Sequence, residues 1–313
     1  MGAAEYREIT IEVPSSFVPG KVGIVTVTFN SEPVLQDFFA SLDGQTYSNF
    51  LLIAVDNASA DQTLALLEQH RSDRQFVLAN AENLGIAEAN NQGICAAIEA
   101  GCEFVMLLNN DVTLDPEMLS KLVEGLDSYN CQMTVPLMYF HEPANRIWAA
   151  GGGFHKALGM RVYHRHAHEA ETPQSTTPKR IDYAPTCCVL ARREIFAHVG
   201  LMDPRYFVYY DDVDFMFRAR QADIHMFFVP GAKLWHKANA LTGGAESDFT
   251  YYYGARGRSL FLYKHLGRFS AFVFFSLHVA LDLSRAVFRK TFRHPCKLKW
   301  KGMREGRRVA LNS

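Results

Sequence analysis

Blocks of apolar residues alternate with polar ones along the first part of the chain, and their lengths sort them into strands and helices. Val22–Phe29 (VGIVTVTF) is uncharged and β-branched, the pattern of a strand buried on both faces. Asn30-Ser31 closes it, and Pro33 suits the first turn of a helix through Leu42. Phe50–Val55 is a second buried strand ending at Asp56-Asn57, with a helix over Leu64–Leu67 capped by Ser59 or Asp61. Gln75–Ala79 is a third strand, and Ile86–Ala100 is an alanine-rich helix closed by Gly101. Glu103–Leu108 is a fourth strand that stops at Asn109-Asn110-Asp111; Asp115-Pro116-Glu117 opens the next helix. Four strand–helix alternations predict an α/β domain built on a mostly parallel sheet with helices on both faces. Ligands of such sheets sit beyond the carboxyl ends of the strands, where Asn30, Asp56 and Asp111 fall.

Beyond Cys131 the pattern loosens. Gly151-Gly152-Gly153 reads as a turn, and Arg161–Lys179 as an exposed hairpin. Order returns at Ala184–Ala191, in helices over Arg193–Val199 and from Asp211 to Arg220, and in a strand, Met226–Val229, stopped by Pro230. Phe269–Leu283 is apolar for about 15 residues, which is too short to span a bilayer.

Charge changes the picture of the C-terminal end. The 313 residues carry a net charge of −1, yet ten Lys/Arg and one acid, Glu305, lie from Arg285 onward. That leaves 22 basic and 32 acidic residues before Arg285, an acidic body and a basic tail with different partners. The six cysteines show no paired spacing, which disfavours zinc and a disulfide framework and suits a reducing cytosol. Residues 1–20 read as an N-terminal extension without a signal peptide.

Asp56 is placed to accept hydrogen bonds from a ribose or base, or simply to cap the helix that follows. Asp111, with Asn109 and Asn110, offers oxygen ligands for Mg²⁺ or Mn²⁺. Asp211-Asp212-Val213-Asp214 sets three carboxylates in a helical first turn, a pattern for a general base or a metal. His236 suits metal ligation and Lys237 a phosphate. Thr242-Gly243-Gly244 offers backbone N–H groups to an anion, and Arg256 and Arg258 suit a diphosphate or an anionic acceptor. His164, His166 and His168 alternate on one strand face, but no second cluster completes a zinc site.

Taken together, VTVTFN, AVDNASAD, NLGIAEANNQG, LLNNDV, AAGGGF, GLMDPRYFVYYDDVDFMFRA and VPGAKLWHKANALTGG resemble the inverting family-2 glycosyltransferases, and especially their rhamnosyltransferase-like branch. The match runs from about Val22 to about Lys264. The resemblance implies a Rossmann-like GT-A domain over residues 21–264, a nucleotide-sugar donor and a divalent metal. It implies that Thr28, Asn30, Asp56, Asn83, Gly85 and Asn110 lie by the nucleotide. Asp111 and His236, with Asn109, would hold the metal, and Asp212, second acid of the family's ED pair, would deprotonate the acceptor. Asn109 stands where the DxD motif has its first acid, and Asp211 where glutamate is usual. The implied donor is dTDP-L-rhamnose, with UDP-galactofuranose or UDP-N-acetylglucosamine as alternatives; the acceptor is a saccharide, and an enzyme held on a membrane by its tail is expected to take a lipid-linked one.

Residues 265–313, an amphipathic helical and basic segment, are expected to rest on an anionic membrane at its cytoplasmic face. The competing roles for that segment are packing on the catalytic domain or on a second copy in a homo-oligomer. Nucleic acid is not an expected partner, because the rest of the chain is acidic. A nucleotidyltransferase would show a Gly-rich phosphate loop where the chain reads TFNSEPVL, and an inert nucleotide- or glycan-binding scaffold would not need Asp111, Asp212 and His236 together.

Overall fold

The uncharged run from Val22 lies within Val18–Thr28 (β1), an interior strand of the sheet in the computed structural model, which describes residues 12–237 and 247–312. β1 pairs in parallel with Phe50–Asp56 (β2), and β2 with Gln75–Ala79 (β3). On its other side β1 pairs in parallel with Cys102–Leu108 (β4). The connections are Glu32–Asp43 (α1), Thr63–Gln69 (α2) and Ile86–Glu99 (α3), as right-handed crossovers between parallel strands require. Side chains alternate between two cores. Ile24, Leu52 and Met106 meet α1 and Met118–Ser128 (α4), whereas Val25, Ile53 and Val105 meet α3. Gly93 makes the α3 contact possible, because a Cβ there would lie 2.2 Å from Val25 Cγ1.

The second half extends the same sheet. Val112–Leu114 (β5), Met133–Phe140 (β6), Ile147–Ala149 (β7), Lys179–Ile181 (β10), Cys188–Arg192 (β11) and Met226–His236 (β12) complete the order β10-β12-β6-β11-β4-β1-β2-β3, with β5 on β12 and β7 on β6. β11 runs antiparallel between β4 and β6, while β6 and β12 are parallel. Gly152–His155 (β8) and Arg161–His164 (β9) form a separate hairpin. Ile195–Val199 (α5) and Asp211–Gln221 (α6) cover the α3 face.

Several boundaries differ from the sequence reading. The strand expected to stop at Pro230 continues to His236, with a register shift between Val229 and Lys233. A bulge tolerates proline because the missing N–H falls where the ladder is already interrupted. The hairpin is built from 152–164 rather than 161–179, because the glycines admit a close strand: a Cβ on Gly152 would meet the Tyr163 carbonyl at 2.1 Å. β6 is a buried strand in a stretch where the pattern had loosened. Thr242-Gly243-Gly244 lies outside the described residues.

Three helices close the chain: Asp248–His265 (α7), Arg268–Phe288 (α8) and Arg293–Leu311 (α9). α9 lies on α7 at Gly302 and Gly306, where a Cβ would come within 2.2 Å of Tyr252 O and 2.1 Å of Arg256 O. α8 turns Ala271, Phe275 and Asp282 inward, and Lys299 of α9 reaches Asp282 at 3.3 Å. Its other face, Phe269, Phe272, Leu277, Leu281, Val287 and Phe288, is exposed. The expectation that this segment is too short to span is corrected. The helix has 21 residues and is long and apolar enough to cross a membrane by length and composition, because it continues past Leu283 through Ser284 and Arg285 to Ala286, Val287 and Phe288. Gly306→Val is expected to lower stability by about 1–3 kcal/mol through overpacking, read as a lower urea midpoint; an unchanged midpoint would show that α9 does not depend on this close approach.

Candidate active site

The strand register brings the residues expected on the donor side together. Thr28 pairs with Asp56 across β1 and β2, and the Thr28 hydroxyl donates to Asp56 Oδ1 at 2.9 Å. Ser59 adds a hydroxyl at 2.6 Å and a backbone N–H at 3.1 Å, so the Asp56 carboxylate is fixed and 2% exposed. Asn30 follows with a left-handed φ of 50° and accepts from the Ala60 N–H at 2.8 Å. Asn57, which the sequence reading passed over, organises the next loop. Its amide donates to Asn83 Oδ1 at 2.9 Å and to the Gly85 carbonyl at 3.2 Å, and its Oδ1 accepts from the Leu84 N–H at 3.0 Å. Gly85 has φ +86°, and a Cβ there would sit 2.5 Å from Phe207 O. The Ile86 N–H donates to that same carbonyl at 2.8 Å.

β12 carries His236 past the bulge to pair with Val112 of β5. Nε2 of His236 thereby lies 3.2 Å from Asp111 Oδ1, both residues being 7% exposed. Asp111 Oδ1 and His236 Nδ1 have no hydrogen-bond partner. An orphaned carboxylate oxygen facing an imidazole fits two ligands of a divalent cation whose remaining positions go to water and phosphate oxygens. Among the described residues, no group of three or more His, Cys, Asp or Glu forms a fuller site. Trp148 holds the imidazole edge-on at 4.3 Å. Asn109 donates its N–H to the Cys187 carbonyl, and the Asn110 amide donates to Val27 O at 2.8 Å, fixing the end of β4. The Lys237 ammonium is ion-paired with Asp37 of α1.

The carboxylate cluster begins α6 after two strained residues, Tyr209 and Tyr210, with φ of 60° and 69°. Left-handed backbone costs about 1–2 kcal/mol per non-glycine residue, so surrounding contacts must hold it. Asp211 is buried, and burial together with the neighbouring Asp212 charge pushes its carboxyl well up. Burial also raises Asp212, while the Tyr183 hydroxyl, donating to Oδ2 at 2.6 Å, pulls the other way. Tyr183 is 3% exposed and touches Phe154 and His164 of the hairpin edge-on. Asp214 faces inward, bound to Arg218 at 2.9 Å, Lys264 at 2.8 Å and His265 at 2.7 Å. Burial alone would raise its pKa, but the His265 bond and the two cations hold it far below the usual carboxylate range. Only Asp212 of the three is thus both partly accessible and held by a single neutral donor from another element.

Arg256 and Arg258 have different surroundings. Arg256 donates to the Arg205 carbonyl at 2.7 Å, and Arg258 donates to the Leu158 carbonyl at the hairpin tip at 2.7 Å. His164 is buried beside Trp148 and Tyr183, which lowers its pKa, whereas His166 pairs with Glu169 at 2.8 Å; they form no shared site. Tyr183, Asn57, Trp148 and Lys264 were missed because each acts through a partner distant in sequence.

A profile for "Glycosyl transferase family 2" matches residues 23–200, more than half of the chain. N-acetylglucosaminyl-diphospho-decaprenol L-rhamnosyltransferase of Mycobacterium tuberculosis is 27% identical over 91% of this chain and 98% of its own length. The dTDP-rhamnosyl transferase RfbF of Shigella flexneri is 24% identical over 77% of this chain and 79% of its own. Two solved structures share the fold. GalNAc-T7, solved with UDP, GalNAc and Mn²⁺, has a TM-score of 0.62 at 18% identity, over 93% of this chain and 56% of that longer one. The mannosyltransferase PcManGT of Pyrobaculum calidifontis, solved with GDP-Man and Mn²⁺, has a TM-score of 0.54 at 14% identity, over 98% of this chain and 90% of its own. With a GT-A architecture, a family match across its strand ends and relatives of rhamnosyltransferase type, the chain belongs to glycosyl transferase family 2.

Proposed function

We propose that the protein transfers L-rhamnose from dTDP-L-rhamnose, with inversion, to a lipid-linked saccharide in cell-surface polysaccharide synthesis. The observation that carries the reading is the Asp212 carboxylate, held by Tyr183 at the start of a helix beside the strand-end cluster. The names of the Mycobacterium and Shigella relatives support the sugar and the lipid-linked acceptor.

Asp212 takes the proton of the acceptor hydroxyl as that oxygen attacks the anomeric carbon from the face opposite the departing dTDP. The bond to the nucleoside diphosphate breaks as the glycosidic bond forms, which inverts the carbon. Tyr183 on Oδ2 and the Val213 N–H on Oδ1 together fix the orientation of the Asp212 carboxylate, each leaving its oxygen a further lone pair for the acceptor hydroxyl. Asp56, Thr28 and Asn30 bind the base and ribose, and the Asn83–Gly85 loop, with Asn110 behind it, shapes the nucleotide's other side. Asp111 and His236, with Asn109 beside them, hold Mn²⁺ or Mg²⁺, which when bound neutralises charge on the leaving diphosphate. Lys237 contributes to the same field from its pair with Asp37. The exposed apolar face of α8 and the basic tail seat the enzyme on the cytoplasmic face of an anionic membrane.

Three outcomes are expected. dTDP with Mn²⁺ or Mg²⁺ raises the unfolding midpoint, by about 2.7 kcal/mol of stabilisation at a hundredfold excess over Kd; equal shifts with GDP would sink the donor assignment. Asp212→Asn lowers kcat by at least about a hundredfold with donor binding retained; unaltered turnover removes it as the base. Tyr183→Phe deletes the side-chain bond that favours the charged carboxylate and leaves only backbone N–H donors such as Val213, so the Asp212 pKa rises. Because the base works deprotonated, the acid limb of the kcat/KM profile then moves to higher pH, and a profile that keeps its position while falling in height would make Tyr183 merely structural.

A further inference from the structure

Arg258 is 4% exposed, yet only its Nη2 has an acceptor, the Leu158 carbonyl; Nε and Nη1 have none. A buried cation with open donors is costly until an anion completes it. What bears on it electrostatically is first the Tyr210 phenol, whose oxygen lies beside the guanidinium, and then another cation, Arg161, at the exposed start of β9. Both arginines also bear on His278 of α8. Three elements thus converge: the tip of the β8–β9 hairpin, α7 and α8. Gly159, at φ +62°, makes their approach possible, since a Cβ there would lie 2.9 Å from the Phe274 ring and 3.0 Å from Arg258 Nη2.

The position of this cationic pair says which part of a substrate it meets. Tyr210 immediately precedes the Asp211-Asp212 pair, and the charges of Arg258, Arg161 and Asp212 all act on it. Gly257, next to Arg258, packs on Tyr210, where a Cβ would lie 2.8 Å from Tyr210 Cβ, so Arg258 lies beside the start of α6 with its guanidinium at the hairpin tip. The donor-side residues Asp56 and Asp111 are held by other partners at the strand ends. Apolar surface begins next to the pair, with Leu158 51% and Leu277 52% exposed. Guanidinium groups bind phosphate oxygens through paired N–H donors.

We propose that Arg161 and Arg258 form a subsite for the diphosphate of a prenyl-diphosphate-linked acceptor. It rests on the lipid-linked acceptor reading above and gives that acceptor an orientation: its sugar toward Asp212, its diphosphate on the two arginines, and its chain along α8. Arg161 makes the first contact from the surface. The anion then reaches Nε and Nη1 of Arg258, which are shut from solvent, by shifting the turn at 156–159. The headgroup of a membrane phospholipid carries the same phosphate chemistry, so the test separates the two.

Calorimetric titration of the full chain with farnesyl diphosphate, in metal-free buffer to silence the donor site, reads the subsite directly. Farnesol and vesicles of phosphatidylglycerol in phosphatidylcholine are the comparison ligands. Arg161→Gln, an exposed position that leaves the fold intact, is expected to weaken farnesyl diphosphate about tenfold, the loss of one charge-assisted hydrogen bond. Arg258→Lys is expected to weaken it similarly, with farnesol and vesicle binding unchanged. Equal affinities in wild type and Arg161→Gln overturn the subsite. A parallel loss of vesicle binding also overturns it, because the arginines would then serve the membrane and not the acceptor. The dTDP midpoint shift is measured on the same samples: a chain that responds to dTDP but whose prenyl-diphosphate binding ignores both variants loses this inference alone, and one that binds neither ligand loses the proposed function as well.

Discussion

The carboxylate of Asp214 is the constraint around which the second half of the molecule is arranged. It is wholly buried and charged, so it must be surrounded, and the residues that surround it come from different elements. Arg218 comes from the next turn of α6 and spends its other nitrogens on the carbonyls of Val199 and Leu201, tying α6 to the end of α5. Lys264 and His265 come from the end of α7, and Lys264 also binds Asp203 at 2.7 Å. Removing one partner from such a set leaves a charge without compensation, typically a cost of about 3–5 kcal/mol. The start of α6, with its two strained tyrosines and Asp212 at its first turn, is thus held from behind by charge rather than by apolar packing alone.

The site has two halves that come from different kinds of chain organisation. On the proposed donor side, residues sit at strand ends in a parallel ladder, and one hydrogen-bonded register, Thr28 against Asp56, sets their relative heights. On the proposed acceptor side, Tyr183 and the β8–β9 hairpin come from the short strands and loops between β7 and β11. The Asp111–His236 pair joins the two, and it exists because β12 continues through a bulge at a proline and runs antiparallel to β5.

Those origins explain what could be read in the sequence. The four parallel strands and their helices were legible because uncharged β-branched runs and helical spacing are local signals. Gln75–Ala79 has the bounds read from sequence, and the boundaries of β2 and α3 differ by a single residue. The strand ends followed, so Asp56 and Asp111 could be picked out by position, and Asp212 and His236 by resemblance. Tyr183, Asn57 and Lys264 could not be found that way, since a tyrosine in DYAPT or a lysine in LFLYKH acquires its meaning only from a partner dozens of residues away. The continuation of β12 past Pro230 was hidden for a related reason: proline is a local stop signal, and a bulge overrides it only when neighbouring strands supply the remaining ladder.

The carbonyl of Phe207 accepts the Ile86 N–H, and its atoms fill the space a side chain on Gly85 would need. Phe207 lies three residues before Tyr210, so the loop at residues 83–86 and the lead-in to α6 share one fastening. A ligand that favoured this arrangement of the loop would favour the same arrangement of the lead-in, and by thermodynamic reciprocity a ligand bound at α6 would return the same free energy to the loop. A single peptide oxygen is the mechanical link between them.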